Sequence, residues 1–569
     1  MVTTRKTTVA RVMNCTQPYD LGLLSDEDAL SLLAISSIDE HNFDKHPSLI
    51  SAAQSFIEKC DRLPLALIAI GRVLKSRKTD VDEWAKLLDS VIWSSPYEKD
   101  ILLALKLSYY DLPLHLKQLF AHCCLFPKDY VFNKNGLVLL WMAEGFLNQT
   151  TTNMSMERLG GEYFQELYSR SFFQHSTGNE FEYTMHDLMN DLAISVVGDF
   201  FFTLNDKMDV NGRNEAFEKF RHFSVLGQRG ARYINRNLEE LYRCGYLRTF
   251  LAAVTNKSVV IVWDKVLEKL LPQLQFLRVL SLTRRSIMYV PISIGRFKHL
   301  RYLNFSKTDI EHVPEVVSDL YNLQSLLVSE CYKLVRLPLS FAKLINLRHL
   351  DMSNTPKLMK TPLGIGRLTS LQTLSKVFIE EDDNGFNVSD LKSLLNLESQ
   401  LSISGLDKVT DPQQAFDANL QGKKGLTNLD MNWSSVFDDS RDPKIEDGVF
   451  ERLRVPNKLN KLNILNYGGT KFPSWFADPL FDRLKKLCLK GCMNCTDFQT
   501  NSFPILEYLE TTDMLVLEKW SNHDGDKTTV SFPRLREIRI KDCPKLGEVS
   551  TGLIKSLEVL VLKIGIVWY

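Results

Sequence analysis

Three cysteines, Cys488, Cys492 and Cys495, place a C-x-x-C pair beside a third thiol, a grouping that could bind a metal through thiolates. A tetrahedral site needs a fourth ligand, and none stands at ligand spacing. Cys492 also follows Leu489 by three residues, as Cys331 follows Val328 and Cys543 follows Ile540. That offset reads as a buried thiol in a repeated ladder. His186, in Met185-His186-Asp187-Leu188, has no metal-ligand partner at suitable spacing either. Its residue chemistry suits the start of a helix over Leu188–Val197, with Asp187 bonding the free amides. Phosphate chemistry would need a Gly-x-x-x-x-Gly-Lys-Ser/Thr loop, and the sequence contains none. ATP hydrolysis by these residues is therefore not expected.

The elements around these residues follow from composition and periodicity. The 569 residues exceed what one hydrophobic core organises, so several domains are expected. Lysine plus arginine equals aspartate plus glutamate at 69 each, which leaves no basic excess for a dedicated nucleic-acid binder. No apolar run is long enough for a membrane span, and Met1–Lys6 lacks the apolar core of a secretory signal. Ten cysteines scattered through the chain suggest no disulfide framework, which fits a reducing, cytoplasmic setting.

A repeat dominates the second half. Leu277-x-x-Leu280-x-Leu282 is followed by equivalents starting at Leu300, Leu323, Leu347 and Leu371, 23 or 24 residues apart. This is the leucine-rich-repeat pattern: a short strand points its leucines inward, and neighbours stack because no single unit can bury them. Pro291, Pro314, Pro338 and Pro362 mark return segments through which no regular helix is expected. Beyond residue 380 the spacing becomes ragged, with starts at Leu426, Leu459, Leu484, Leu506, Leu535 and Leu557. Glu380–Asn384 and Asp438–Asp447 are expected as exposed loops, and the last unit ends without a polar cap.

The first part of the chain has helical periodicity. Ser25-x-x-Asp28 forms a capping-box pattern, Pro47 suits a first helical turn, and helices are expected from Leu65 and from Val81. Further patterns cover Ile101–Tyr109, Leu114–Cys123, Gly136–Leu147 and Met156–Ser169, then a hairpin pairs Ser171–His175 with Phe181–His186. The expected architecture is multidomain: an all-α helical bundle, a winged-helix-like domain, then an α/β leucine-rich-repeat solenoid. Winged helices often bind DNA, but residues 111–200 hold five Lys/Arg against eleven Asp/Glu, a net of minus six that repels phosphate backbones.

Five motifs in order complete the reading: Thr3-Thr4-Arg5, Leu63-Pro64-Leu65-Ala66, Cys124-Leu125-Phe126-Pro127-Lys128-Asp129-Tyr130, Trp141-Met142-Ala143-Glu144-Gly145-Phe146 and Met185-His186-Asp187-Leu188. Together with the repeats they resemble the plant NB-ARC disease-resistance proteins of the coiled-coil subclass. The resemblance implies an ADP/ATP switch in which Arg5 senses the terminal phosphate, Pro64 packs near adenine and His186 contacts the ADP phosphates. It implies that residues 1–18 are a remnant of the nucleotide-binding domain and 19–99 the first ARC subdomain. Residues 100–205 would then be the second ARC subdomain, and 206–569 the solenoid. The phosphate loop and the coiled coil of that family are not in this sequence, and Arg62 stands where the family has a glycine before Leu-Pro-Leu. Weak or no ADP/ATP binding by these residues, and an N-terminally truncated receptor, are the expectations.

Three functions compete. The first is part of an immune receptor whose repeats recognise a pathogen effector or a host protein and hold the switch closed. The second is a nucleotide-independent scaffold or decoy binding other proteins, and the third is an ATPase, which lacks its phosphate loop. Strand alternation is expected to turn Val279, Ser281, Tyr302, Asn304, His349 and Asp351 outward as the partner-binding face.

Overall fold

The computed structural model describes residues 21–569 apart from 91–92, 94–99, 148–153, 177–180, 205–216, 227–243, 253–262, 383–384, 478–480, 501–502, 523–531, 547, 550–555 and 564–569. Arg5 and the turn of the expected hairpin lie outside the described residues. The chain divides into two units, Met1–Gly198 and Asp199–Tyr569.

In the first unit, α1 (Asp26–Ile38) starts where the Ser25 hydroxyl accepts from the Asp28 amide at 3.1 Å and donates to the Asp28 carboxylate at 2.7 Å. A 3₁₀ turn at Pro47–Leu49 leads into α2 (Ile50–Lys59), and α3 (Pro64–Ser76) begins on its proline, whose missing amide hydrogen costs nothing there. Asp80 caps α4 (Val81–Leu88). Gly71 in α3 is required by packing: a Cβ there would lie 2.4 Å from the Cβ of Ser36 in α1. Leu33, Phe56, Leu67, Ile70 and Trp84 close the core of this bundle.

α5 (Asp100–Tyr110) packs on α3, and α6 (Leu114–His122) opens the winged-helix part. There β1 (Phe132–Asn133), α7 (Lys134–Glu144), α8 (Met156–Ser169), β2 (Gln174–His175), β3 (Glu182–Thr184) and α9 (Asp187–Val196) follow in order. The sheet order is β1-β3-β2, antiparallel throughout, as a wing requires. Gly145 ends α7 in the left-handed region at φ 82°. The core is aromatic: Phe132 meets Phe173 edge to face at 5.4 Å, and Phe173 stacks on Phe164 at 4.9 Å.

The second unit is a parallel-strand solenoid. Its first sheet runs β4 (Phe201–Leu204), β5 (His222–Val225), β6 (Thr249–Leu251), β7 (Val279–Ser281), β8 (Tyr302–Asn304), β9 (Ser325–Leu327), β10 (His349–Asp351) and β11 (Thr373–Leu374). The solenoid therefore starts before residue 206: Phe201–Leu204 belongs to this sheet and not to the preceding domain, because it pairs in parallel with His222–Val225. Phe220, Phe223 and Val225, then Leu247, Phe250 and Ala252, are buried as rungs. Phenylalanine in place of leucine concealed these two repeats from a leucine pattern.

The second sheet takes β12 (Lys376–Phe378), β13 (Glu398–Ser404), β14 (Gly425–Asn432), β15 (Lys461–Leu465) and β16 (Lys486–Lys490). A separate small sheet joins β17 (Asp497–Thr500), β19 (Lys519–Asn522) and β21 (Glu548–Val549), while β18 (Tyr508–Thr512), β20 (Glu537–Lys541) and β22 (Val559–Lys563) extend the second sheet. β13 escaped the sequence pattern for a physical reason. Its rungs read Leu397-x-x-x-Leu401-x-Ile403, one residue longer than the template, and its register against β14 shifts between Ser399 and Gln400. The proline prediction holds in detail, with 3₁₀ turns Ile292–Arg296 and Glu315–Asp319 following Pro291 and Pro314. Asp438–Asp447 is only partly a loop, since Asp442 caps a helix, Pro443–Arg452, that buries Glu446. Leu560 and Leu562 of the last strand are exposed.

Candidate functional site

Pro64 and His186 both sit at helix starts in the first unit. Pro64 is the exposed first residue of α3, as its ring and fixed φ favour. His186 is the N-cap of α9: its Nδ1 accepts from the Leu188 amide at 3.1 Å. The expected cap is thus supplied by His186 itself, and Asp187 is the first residue inside the helix. With Nδ1 accepting, the proton of a neutral ring resides on Nε2, the nitrogen that could donate to an anion. α5 packs on both α3 and α9, so one helix ties together the elements that carry Pro64 and His186.

The Cys124–Tyr130 motif holds α9 in place. The Asn190 amide of α9 donates to the Phe126 carbonyl at 3.2 Å, and Lys128 pairs with Asp191 at 2.6 Å. Phe126 packs on Tyr130 and Phe132 at ring distances of 4.6 and 5.1 Å. A second clamp joins the bundle to the winged helix. The half-buried Asp111 carboxylate takes Arg77 at 2.9 Å and Arg170 at 3.0 Å, one on each oxygen. The clamp had no signal in the sequence, because its partners stand 34 and 59 residues away.

On the solenoid the six expected partner-binding residues fall into two rows. Val279, Tyr302 and His349 are buried, contrary to the expected exposure. They lie in one register row, His222–Thr249–Val279–Tyr302–Ser325–His349–Thr373, at the close spacing of a parallel sheet. Large side chains in such a row cover their smaller neighbours, and polar ones pair across strands. His222 Nδ1 lies 2.9 Å from the Thr249 hydroxyl, and His349 Nδ1 lies 3.0 Å from that of Thr373. Ser281, Asn304 and Asp351 are half-exposed, yet each side chain bonds its own chain two residues on. Ser281 Oγ meets Thr283 Oγ1 at 3.1 Å, the Ser306 amide donates to Asn304 Oδ1 at 2.8 Å, and the Ser353 amide donates to Asp351 Oδ1 at 3.0 Å. These residues shape the strand exit as well as presenting polar atoms.

Cys488 is half-buried on β16, while Cys492 donates toward the Lys490 carbonyl and Cys495 toward the Gly469 carbonyl at 3.3 Å. Burial pushes the Cys492 thiol up to about 12 and the Cys488 thiol to about 11, and it raises Cys495 further. All three are neutral thiols in the ladder at pH 7.

Residues 125–193 match the family described as "Disease resistance protein Winged helix domain", and residues 388–514 match "R13L1/DRL21 LRRs". The chain carries the winged-helix domain and the leucine-rich repeats found in disease resistance proteins. It is 39% identical over its whole length to the disease resistance RPP13-like protein 1 of Arabidopsis thaliana, of which the match covers 57%. It is 33% identical over 98% of its length to the disease resistance protein RGA2 of Solanum bulbocastanum, covering 54% of that protein. The chain thus spans about half the length of the curated relatives it matches. Among the described residues, no helix is long and apolar enough to cross a membrane.

Proposed function

We propose that this chain is part of a cytoplasmic plant immune receptor, in which the solenoid binds a protein ligand and the helical unit belongs to an ADP/ATP-controlled switch. The observation that carries this reading is the 39% identity, over the whole of this chain and 57% of the relative, to a protein named for disease resistance, with winged helix and repeats in the same chain. The ligand would be a pathogen effector or a host protein, read by exposed positions of the strand face around Ser281, Asn304 and Asp351. Pro64 and His186 fit the edges of a nucleotide, an apolar ring face and an Nε2–H donor. They do not supply the nest of amides and the lysine that counter most phosphate charge. On this reading the residues here contribute contacts and not catalysis, and repeat contacts help hold the resting state.

The test is a receptor expressed in leaf tissue from its own locus with His186→Ala. Defence output without a pathogen is expected, because the resting nucleotide loses a donor. A folded, abundant variant that stays silent would count against the switch. Calorimetry on this chain alone should give an ADP affinity weaker than micromolar.

A further inference from the structure

A three-residue phrase recurs where the chain enters successive strands: Tyr246-Leu247-Arg248, Phe276-Leu277-Arg278 and His299-Leu300-Arg301. Each leucine is a buried rung, so ring and guanidinium flank it on the accessible side. Parallel pairing turns the phrase into two columns. The Arg278 amide donates to the Arg248 carbonyl at 2.7 Å, and the Arg301 amide to the Arg278 carbonyl at 2.8 Å. The rings stack in turn, Tyr246 on Phe276 at 5.7 Å and 22° and Phe276 on His299 at 6.0 Å and 17°. The Arg221 guanidinium covers the end of the stack, 5.2 Å from the Tyr246 ring centre.

The stack is not the usual occupant of this position. In later repeats the place is held by Asn322, Asn346 and Asn396, whose amides donate to the carbonyls of Lys298, Tyr321 and Thr369 at 2.7, 2.8 and 2.9 Å. The repeats that lead into β6, β7 and β8 give up that bond and keep rings instead, with Tyr246 57% and Phe276 48% exposed. No aspartate or glutamate occurs in 244–252, 274–285 or 297–308. These three segments are therefore apolar and cationic, with no acidic residue among them.

We propose that this column of rings and arginines docks an acidic, apolar-bearing extended segment of a protein partner. The inference rests on the reading that the solenoid binds a protein, and it names where and what chemistry. Stacked rings present their edges to solvent, the positive end of the ring quadrupole, and so favour carboxylates as well as apolar contact. Arg278 and Arg301 already make contacts of their own, so selection for a carboxylate is assigned to the exposed Arg248, whose planar fork suits it. An extended peptide repeats side chains on one face every ~6.6 Å, close to the ring spacing. Single-stranded nucleic acid fits less well. A base inserted between rings needs two stacking distances of roughly 3.4 Å each, more than the stack leaves.

The experiment uses the full chain and fluorescence anisotropy with three labelled probes: a peptide of alternating glutamate and phenylalanine, its lysine-for-glutamate counterpart, and oligo-dT. The acidic peptide should bind, at least tenfold more weakly to Arg248→Glu and to Phe276→Asn, which installs the asparagine of later repeats. Binding should be unchanged by Lys490→Glu in a distant repeat, and thermal melts should coincide for all variants. Equal binding of the lysine peptide, preference for oligo-dT, or an unaltered affinity in Arg248→Glu with an unaltered melt overturns the proposal. A protein ligand whose capture survives both variants overturns the strip alone and leaves the receptor reading intact. If instead the variants melt early, Tyr246→Asn replaces Phe276→Asn with the same tenfold loss expected.

Discussion

The two halves of the solenoid solve the same stacking problem with different materials. From Leu277 to Leu374 the rungs start every 23 or 24 residues, the described strands are two or three residues long, and polar side chains are spent on the turn immediately after the strand. From β13 onward the spacing is irregular, but β13 to β16 are five to eight residues long and stay in parallel register. Extra length is stored outside the ladder, in helices Pro412–Asp417 and Pro443–Arg452 and in the loop between Trp433 and Asp442. A buried network locks that store. Arg441 pairs with Glu446, with side chains 7% and 5% exposed, and donates to the carbonyls of Ser434, Val436 and Asn466. Glu446 also accepts from the Gly468 amide at 2.8 Å. Regular spacing is held by leucine rungs and local polar bonds at the turns, whereas the irregular half adds a buried ion pair that fixes where the surplus goes.

The strongest way to break this contrast is to remove an anchor. Glu446→Ala leaves a buried guanidinium uncompensated and should cost about 3–5 kcal/mol, read by denaturant melts. Hydrogen exchange should show the loss confined to 433–468. Equal loosening across 277–374 would mean that the two halves share one polar framework.

Rungs should matter equally in both halves. Leu350→Ala and Leu462→Ala should each destabilise by roughly 2–5 kcal/mol, the cost of emptying a fully packed leucine site. A Leu462 variant tolerated far better than its counterpart would show that the irregular half leans on its network and not on its ladder.

Lys423 sharpens the comparison by pH. It is buried in the second half with Nζ 2.7 Å from the Leu391 carbonyl, and burial lowers its pKa to about 8 from an ordinary 10.5. The folded state resists the charged form, so stability is fully present above pH 10.5 and is lost as pH falls from there to about 8. Urea melts should show up to about 3 kcal/mol across that window at 1.36 kcal/mol per unit. Lys423→Met should remove this contribution, and a pH profile identical to the parent would refute the assignment.

The smallest effect is expected in the regular half. Asn304→Ala gives up the Ser306 amide and should cost about 1 kcal/mol in thermal melts, well below Leu303→Ala next to it. The reverse order would place the side-chain register one residue out.

How much of this could be read from the sequence depended on distance along the chain. Ser25 as a cap, a helix start within one residue of Leu65, the wing hairpin and the rungs from Leu277 were legible because period and capping act within a few residues. Phe220–Val225 and Leu247–Ala252 were not, since aromatic rungs break a leucine template, and Leu397–Ile403 was hidden by the extra residue between its first two rungs. The candidate site was legible in its residue types and less so in its geometry. His186 was correctly placed at a helix start, but the ring and not Asp187 makes the cap.

The sequence by itself determined the class, the order of bundle, winged helix and solenoid, and the inward leucines, because burial of one face recurs locally and leaves a period. Tertiary structure alone decided which outward residues remain outward. Val279, Tyr302 and His349 alternate correctly yet are buried, because stacking strands closes a row that a single strand leaves open. It also decided the pairings of Asp111 with Arg77 and Arg170 and of Arg441 with Glu446 and Asn466. Such contacts depend on where distant elements meet, and nothing in their local spacing encodes that meeting.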